Sequence, residues 1–215
     1  MEVFKLKRIT LFAISAIGLF AQANWFSLNP PDLTVFTWNN QLSASWSTSS
    51  NGIPVLSIPF HSSPAQWNSL IQSLPASPYT ITMVFCPSGP TYGIWHFGIT
   101  LQDAANKAEN MMLNMYNAPG QVIVYQEGNA STYSGFENSI FTASMPVAQV
   151  RALRVVDDGT HRTFYYSADG GTSWAQQFQE ASGSYLTPTK WGVVGINLQA
   201  GSVSAALYRL EVTTP

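Results

Sequence analysis

Aromatic and amide side chains beside short β-branched segments are the residues of this sequence best suited to holding a ligand. Sugars are recognised by aromatic rings that stack on their C–H faces and by amides and hydroxyls that hydrogen-bond their hydroxyl groups. The sequence carries both types on or next to predicted strands. The candidate carbohydrate-binding residues are Tyr92, Trp95, His96, Tyr116, Tyr125, Trp191 and Asn197.

Tyr92, Trp95 and His96 are the first choice among these candidates. Gly93, which lacks a side chain, lets the backbone approach a ligand closely. Neighbouring residues of a strand face opposite sides, so Trp95 and His96 cannot both lie in a core. The alternative is that Trp95 packs in the core while His96 is merely exposed, because aromatic residues in β-sandwiches are usually packing residues.

The carboxylates give weak support to catalysis. A glycosidase needs two carboxyl groups roughly 5 to 10 Å apart, one of them with a raised pKa. Isolated positions along the chain are occupied by Glu127, Glu137, Glu180 and Glu211. Because residues isolated in sequence can still meet in space, a glycoside hydrolase is kept as the less favoured alternative.

No metal or cofactor is expected. The three histidines have no zinc-ligand spacing and no cysteine partner. Calcium could bind Asp103, Asp157 or Asp158 together with backbone carbonyls, but nothing in their spacing requires it.

Composition excludes several classes of protein. The 215 residues are 46% hydrophobic, 13% aromatic and only 9% charged, which excludes a disordered chain and predicts a substantial core. The formal net charge is −2 and no run of basic residues is present, so binding to a nucleic-acid backbone is not expected.

Residues 1–23 have the three-part form of a secretory signal. Basic residues between Lys5 and Arg8 precede an apolar run over 9–20 and the small-residue sequence Ala21-Gln22-Ala23. The run would cover roughly 18 Å as a helix, short of the ~30 Å hydrocarbon core, so no stable membrane span is expected. We predict cleavage after Ala23 and a secreted, extracellular or virion-surface protein; the alternative is an apolar anchor that stays attached.

The rest of the chain shows the pattern of short strands separated by turn formers. In Tyr79–Phe85 the odd positions are apolar and the even positions include Thr80 and Thr82, the period of a half-buried strand. Helical spacing of apolar residues predicts one short helix over 64–74, and a single turn is expected over 104–110. With no repeat or linker, residues 24–215 are predicted to form one all-β antiparallel jelly-roll β-sandwich with one or two short helices.

Two turn sequences follow one another near the end of the chain. Asp157-Asp158-Gly159-Thr160 predicts a turn between two strands. Next comes the pattern S-x-D-x-G-x-S-W, which resembles the Asp-box hairpin of sialidases and other β proteins and is carried by Ser167, Asp169, Gly171 and Trp174. The resemblance implies a structural hairpin in which Asp169 accepts backbone amides and Trp174 packs under the loop. A full sialidase would need repeated boxes and an arginine cluster, and the sequence has one box.

A wider resemblance rests on the segment from Arg151 to Trp174, the segment 185–198 and a last strand ending in Leu210-Glu211-Val212. These segments, with Pro31–Gln41 and 75–82, resemble concanavalin A-like lectin/glucanase (LamG-like) jelly rolls. The similarity is greatest to the non-enzymatic versions on bacteriophage structural and tail-fibre proteins and on bacterial surface proteins. The hydrolases of that family carry a Glu-x-Asp-x-x-Glu strand motif, which is absent here.

Three functional hypotheses follow. The first is a non-catalytic surface or virion-associated module that binds a glycan or cell-surface polysaccharide. The second is a purely structural or decoration domain whose partners are other virion or surface proteins. The third is a glycoside hydrolase with an atypical carboxylate pair, which would place two close carboxyl groups in a cleft.

Overall fold

The computed structural model describes residues 28–61, 66–90, 93–116, 120–133, 138–145, 150–198 and 201–215. Within these ranges the chain forms fourteen strands and a single 3-10 turn, Leu33–Val35. The strands are β1 Thr37–Asn39, β2 Ser45–Thr48, β3 Pro54–Pro59, β4 Asn68–Ser73, β5 Tyr79–Ser88, β6 Ile94–Gln102, β7 Ala108–Tyr116, β8 Gly120–Glu127, β9 Asn138–Met145, β10 Arg151–Asp157, β11 His161–Ser167, β12 Ala175–Ala181, β13 Lys190–Asn197 and β14 Ser202–Thr213. No helix in the described residues is long and apolar enough to cross a membrane. The predicted N-terminal signal and its cleavage point lie outside these ranges.

The strands form two antiparallel sheets of seven. The front sheet has the order β1-β4-β13-β6-β7-β8-β9, and the back sheet has the order β12-β11-β10-β5-β14-β3-β2. This arrangement confirms the predicted all-β antiparallel β-sandwich and is consistent with a jelly roll.

Alternating residues from the two sheets form the core between them. On β6, Trp95, Phe97, Ile99 and Leu101 belong to this core, and Phe85 of the back sheet contributes a ring 5.5 Å from that of Phe97. Burial of these large apolar side chains is the main favourable contribution to folding.

The predicted short helices are wrong. Most of the segment expected to be helical over 64–74 is strand β4, which pairs with β1 and β13. Leu70 belongs to the core between the sheets, whereas Trp67 belongs to a second apolar cluster on the other side of the front sheet. Because β4 is buried on both faces, its apolar residues do not alternate, and their spacing imitates that of a helix.

The turn expected over 104–110 is confined to its first residues. Residues 104–106 form the turn of a hairpin, and Ala108 already begins β7. Strand β9 was not predicted either, although it pairs with β8 at the edge of the front sheet.

A buried ionic cluster ties the two sheets together at one end of the sandwich. Arg162 on β11 donates to Glu109 of the front sheet at 2.7 Å and to Glu180 of the back sheet at 3.0 Å. The amide of Gln126 on β8 donates to both carboxylates at 3.1 and 3.3 Å. Asp157 lies 3.4 Å from the Arg162 Nε. Three carboxylates thus surround one guanidinium.

The Glu109 carboxyl is the unusual member of this cluster. Burial, together with the nearby Glu180 charge, raises its pKa to about 7 in spite of the opposing effect of Arg162. The group therefore holds a proton in the folded state over a pH range in which the unfolded chain has lost it.

We predict that Glu109→Gln removes a pH-dependent part of the stability. From about pH 4.5 to 7 the folded protein binds this proton more tightly than the unfolded chain, so the contribution of Glu109 to stability is greatest at low pH and is lost as pH rises through 7. Urea unfolding of wild type and variant between pH 5 and 8 should show the advantage of the wild type shrinking as pH rises.

Glu211→Gln is the matched control for this measurement. Glu211 pairs with Arg209 at the surface, and its pKa is lowered by hydrogen bonds from Arg209 and Asn29, with burial opposing. Its effect on stability should therefore be constant between pH 5 and 8. An advantage of wild type over Glu109→Gln that grows with pH would contradict the prediction, because it would mean that the pairing with Arg162 outweighs burial.

Candidate functional site

The outer face of the front sheet, which points away from the core, carries aromatic, amide and hydroxyl side chains among aliphatic ones, and it has few charged residues. These side chains alternate with the core residues along each strand. They are Ser69 and Ile71 on β4, Gly192, Val194 and Ile196 on β13, His96, Gly98, Thr100 and Gln102 on β6, Asn110, Met112 and Asn114 on β7, and Ile123, Tyr125 and Glu127 on β8.

One cross-strand row crosses six of the seven strands of this face. Its members, in order of neighbouring strands, are Thr37, Ile71, Gly192, Thr100, Asn110 and Tyr125. At about 4.8 Å per strand the row is roughly 24 Å long. A Cβ atom at Gly192 would lie 2.0 Å from the backbone oxygen of Leu70, so no side chain fits at this position. The row therefore has a gap between its side chains at β13.

An aromatic cluster lies over the β6 to β8 part of the face. The His96 ring centroid is 5.9 Å from that of Trp67, 5.5 Å from that of Tyr125 and 5.9 Å from that of Tyr133. Trp67 and Tyr133 meet edge to face at 5.3 Å. Four rings that come from four separate chain segments thus form one packed group.

The loop that follows β8 covers this cluster. The backbone of Ser131 accepts a hydrogen bond from the Trp67 amide at 3.1 Å, and Thr132 forms an isolated bridge with Gln66. The Asn40 amide donates to the carbonyls of both Trp67 and Ser131, which fixes the loop to the β4 side of the face. His96 and Tyr125 are each only 1% exposed as a result.

Several buried polar atoms beneath this loop have no partner among the described residues. They are both ring nitrogens of His96, both side-chain polar atoms of Asn110, the Oδ1 of Asn114 and the Nε1 of Trp67. Each buried polar atom left without a partner costs about 1–3 kcal/mol. Such atoms are normally satisfied by ordered water or by a ligand.

A polar network connects the face to open solvent at its β1 edge. The Asn39 amide donates to Gln102 at 3.0 Å, and the Gln102 amide donates to the Ser69 hydroxyl at 3.1 Å. Asn39 also lines a cavity of about 270 Å³ together with Thr37 and the exposed Lys190. The cavity therefore lies at one end of the cross-strand row and the aromatic cluster at the other.

Burial keeps the titratable groups of the cluster neutral. It lowers the pKa of the His96 imidazole to about 3. It also raises the pKa of the Tyr125 phenol, and the neighbouring Tyr133 acts in the same direction. At neutral pH the cluster thus presents rings, amides and an uncharged imidazole, which suit an uncharged hydroxyl-rich ligand.

The described part of this face has no pair of carboxylates. Glu127 is the one acid that its described residues contribute. Glu109 and Glu180 do lie close together, but they are between the sheets and both bind the same nitrogen of Arg162. A guanidinium in that position occupies the space that a sugar would need between the two acids of a glycosidase.

The structure brings together two of the predicted site residues, His96 and Tyr125. Trp95 and Trp191 are corrections, because both rings face the core between the sheets and not the outer face of the front sheet. Asn197 is a further correction: its amide donates to the carbonyls of Ile58 and Gly201 and holds backbone segments together.

The other two candidates are less fully described. Tyr92 lies outside the described residues, and Tyr116 is placed only as the last residue of β7. In the pair formed by Trp95 and His96, the tryptophan faces the core and the histidine faces the opposite side, as strand alternation requires. The expectation that His96 is exposed is nevertheless wrong, because it is only 1% exposed.

Sequence reasoning missed Trp67, Tyr133, Asn110 and Asn114. Trp67 was assigned to a helix, and Tyr133 belongs to a loop whose path over the sheet leaves no local pattern. A signal did exist for the asparagines: Asn110, Met112 and Asn114 are spaced two apart in a strand and must share one face.

The Asp169 loop is held by its own hydrogen bonds. Asp169 accepts from the backbone amides of Thr172 and Ser173 at 2.9 and 3.0 Å and from the hydroxyls of Ser167 and Ser173. Hydrogen bonds from Ser167 and Ser173 lower the pKa of Asp169. The loop joins β11 to β12 and presents Trp174 toward Arg154 on β10, whose guanidinium carbon is 3.8 Å from the ring centroid.

The aspartates considered for calcium serve local structure. Asp103 accepts from the Lys107 amide, and Asp158 accepts from the amides of Thr160 and His161. Asp157 accepts from the hydroxyls of Ser77 and Ser182 and faces Arg162. In the described parts of the chain no three metal-ligating side chains are grouped as a metal site requires.

Comparison with known proteins gives a fold and no family. Neither a protein-family profile nor a curated protein sequence matches this chain. Among solved structures, a functionally unknown protein from Saccharomyces cerevisiae aligns with a TM-score of 0.64 at 12% identity, covering 86% of this chain and 99% of that one. A legume lectin-like domain from Entamoeba histolytica aligns with a TM-score of 0.58 at 11% identity, covering 84% and 90%.

Glycoside hydrolases of the GH43 group also align. A variant of a GH43 protein from Bacillus licheniformis gives a TM-score of 0.62 at 15% identity. The alignment covers 87% of this chain but only 38% of that protein. At such identities the likeness shows a shared β-sandwich fold.

We predict that His96 does not titrate in the neutral range. Its carbon-bound ring protons, followed by NMR and assigned with a His96→Gln variant, should keep the shifts of a neutral imidazole from pH 8 to pH 5, because burial disfavours the charged form. The unfolded chain takes up this proton near pH 6.5. His96 therefore lowers the stability as pH falls from about 6.5 toward 3, and an inflection near pH 6.5 in the folded spectrum would contradict the prediction.

Proposed function

We propose that this chain is a non-catalytic carbohydrate-binding module whose ligand lies on the outer face of the front sheet. The observation that carries the proposal is the set of buried, unpartnered polar atoms of His96, Asn110 and Asn114 beside the rings of Trp67, Tyr125 and Tyr133. Aromatic faces and neutral amides together are what a sugar requires.

The energetics support a ligand that is rich in hydroxyl groups. The unpartnered atoms include both donors and acceptors, and a hydroxyl can serve either kind. A glycan that satisfied these atoms would meet amides already held in place by a sheet, so the amide side chains would lose little conformational entropy on binding.

The shape of the face supports an extended ligand. The cross-strand row from Thr37 to Tyr125 is roughly 24 Å long and has a gap between its side chains at Gly192. The cavity beside Lys190 opens at its β1 end. Because Thr100, Asn110 and Tyr125 are at most 1% exposed, the cover over this row must move aside before a ligand can reach it. We infer that a chain of sugars then enters at the β1 end and that its last units lie under the Tyr133 loop.

The fold comparison supports the same class of function at a coarser level. A legume lectin-like domain shares the sandwich, and the described part of the face lacks the second carboxylate that hydrolysis needs. With the signal-like N-terminus, these features fit a secreted or virion-surface module that recognises cell-surface polysaccharide. The competing proposal is a structural or decoration domain, for which the outer face would be a second core and nothing more.

A glycan array probed with the purified full chain tests the proposal. Wild type should bind a defined set of glycans equally with calcium and with a chelator. Asn110→Leu should weaken binding roughly tenfold or more, because the ligand loses its hydrogen bonds to the amide. Its thermal midpoint should be unchanged or higher, because an apolar side chain of similar size replaces a buried amide that has no partner in the described structure.

Two controls separate this role from a structural one. Asn197→Ala removes a buried asparagine that bonds backbone carbonyls, so it should lower the thermal midpoint and leave binding per folded molecule unchanged. Tyr133→Ala should weaken binding, whereas Tyr185→Ala, which removes a half-buried tyrosine that contacts Lys107 and packs against the core between the sheets, should not.

Folded protein that binds no glycan on a broad array would overturn the proposal in favour of the structural domain. Binding of neutral glycans that persists in both Asn110→Leu and Tyr133→Ala would overturn the site. Cleavage of a bound glycan, detected by mass spectrometry, would overturn the non-catalytic assignment, and loss of binding in chelator would overturn the expectation that no metal is needed.

A further inference from the structure

The outer face of the back sheet carries a second group of polar residues that the front-sheet site does not involve. In neighbouring register on β11, β10, β5 and β14 lie Tyr165, Arg154, Thr82 and Glu211. Arg209 lies two residues from Glu211 on β14 and is paired with its carboxylate. Two arginines and one acid therefore share this small area.

Arg154 differs from the other arginines described here. Arg162 is enclosed by three carboxylates, Arg151 donates to the carbonyl of Ala168, and Arg209 is paired with Glu211. The Arg154 guanidinium makes no hydrogen bond or ion pair within the described residues. Its buried Nε has no hydrogen-bond partner there, as is also true of the Nε atoms of the other three arginines, so the difference lies in the terminal nitrogens. Its contact is with the face of Trp174, 3.8 Å from the ring centroid.

Stacking fixes the direction in which Arg154 can bind. The indole covers one face of the planar guanidinium, and the N–H donors project from its edge. Those donors have the fork geometry that matches a carboxylate or another oxyanion in two parallel hydrogen bonds. The Arg154 side chain is thus held in one orientation, while its N–H donors have no hydrogen-bond acceptor among the described residues.

The hairpin loop makes this arrangement rigid. Asp169 closes the loop through hydrogen bonds from Thr172 and Ser173, directly before Trp174. A Cβ at Gly171 would lie 3.2 Å from the Trp174 ring, so loop and indole are in close contact. A ligand at Arg154 would meet a preorganised site, which lowers the entropic cost of binding.

The local charge favours an anion. Burial and the neighbouring Arg209 lower the pKa of Arg154, while Tyr165 and Glu211 oppose this effect only in part. Glu211, the nearby acid, already accepts hydrogen bonds from Arg209 and from Asn29. This positive area belongs to a protein whose formal net charge is −2.

We propose that Arg154, stacked on Trp174 and flanked by Arg209, binds the carboxylate of an acidic saccharide on the outer face of the back sheet. The guanidinium edge takes the carboxylate in a bidentate pair, and the partly exposed rings of Trp174 and Tyr165 offer apolar surface to the sugar ring. The site is separate from the front-sheet face and prefers charged sugars, whereas the front-sheet face suits neutral ones.

NMR titration of the labelled full chain with glucuronate, with glucose as the uncharged counterpart, tests this proposal. At constant ionic strength, glucuronate should shift the Arg154 Nε–H and Trp174 indole signals in a saturable way, and glucose should not. Arg154→Gln should weaken glucuronate binding roughly tenfold or more, because a charge-assisted pair is lost. Arg154→Lys, which keeps the charge but not the fork, should bind at an intermediate level.

Lys107→Gln is the matched control. Lys107 also lies over an aromatic ring, with its Nζ 5.3 Å from the centroid of Tyr185. It lies between β6 and β7 of the front sheet, whereas Arg154 lies on the back sheet. Its loss should leave glucuronate binding unchanged. The spectrum of the Asp169 loop reports whether each variant is folded.

Several outcomes would overturn the proposal. Equal shifts with glucose, equal shifts with sodium chloride, or shifts that persist in Arg154→Gln would each do so. If inorganic sulfate or glucose 6-sulfate binds more tightly than glucuronate, the recognised group is a sulfate and not a carboxylate. That result would overturn the proposal that Arg154 recognises a carboxylate. Shifts confined to the Tyr133 loop would assign acidic sugars to the front-sheet face instead.

Discussion

The central strands of the front sheet are covered on both faces, and most other features of this protein depend on that double burial. One face packs against the back sheet through an apolar core. The other is closed by the loop that carries Tyr133, so His96, Asn110 and Tyr125 are removed from bulk solvent although they do not belong to the core. Polar groups that would be unremarkable on a wet sheet become costly under such a cover. A sheet that keeps them there must satisfy them with something other than its own side chains.

The two sheets treat their polar groups in opposite ways. Between the sheets, Glu109, Glu180 and Asp157 all contact Arg162, and Gln126 donates to two of these carboxyl groups. On the outer faces, amides of Asn110 and the guanidinium of Arg154 are held in place but have no partner among the described residues. Polar groups that serve the fold are paired within the chain, and groups that can serve a ligand are oriented by packing alone.

The sheet architecture was predictable because one face of many strands follows a simple rule. Tyr79–Phe85 alternates, and the structure places its apolar positions in the core as β5. The rule fails where both faces are buried: β4 showed helical spacing, and Trp95 and Trp191 could not be told from surface aromatics. The candidate site was found in part, through His96 and Tyr125, because strand alternation forces one of each neighbouring pair away from the core. Trp67 and Tyr133 could not be found in this way, since their meeting depends on how one loop crosses the sheet.

The order of strands also determines when the sandwich can form. The last two strands along the chain occupy interior positions, with β13 between β4 and β6 and β14 between β5 and β3. Until both have left the ribosome, each sheet is divided into two halves whose inner edges lack their partners. The chain therefore cannot complete either sheet while synthesis is under way, and folding must wait for contacts between residues more than a hundred positions apart. During that interval the unpaired apolar strands are exposed to aggregation, so the yield of the folded protein depends on how long the nascent chain is kept apart from its neighbours.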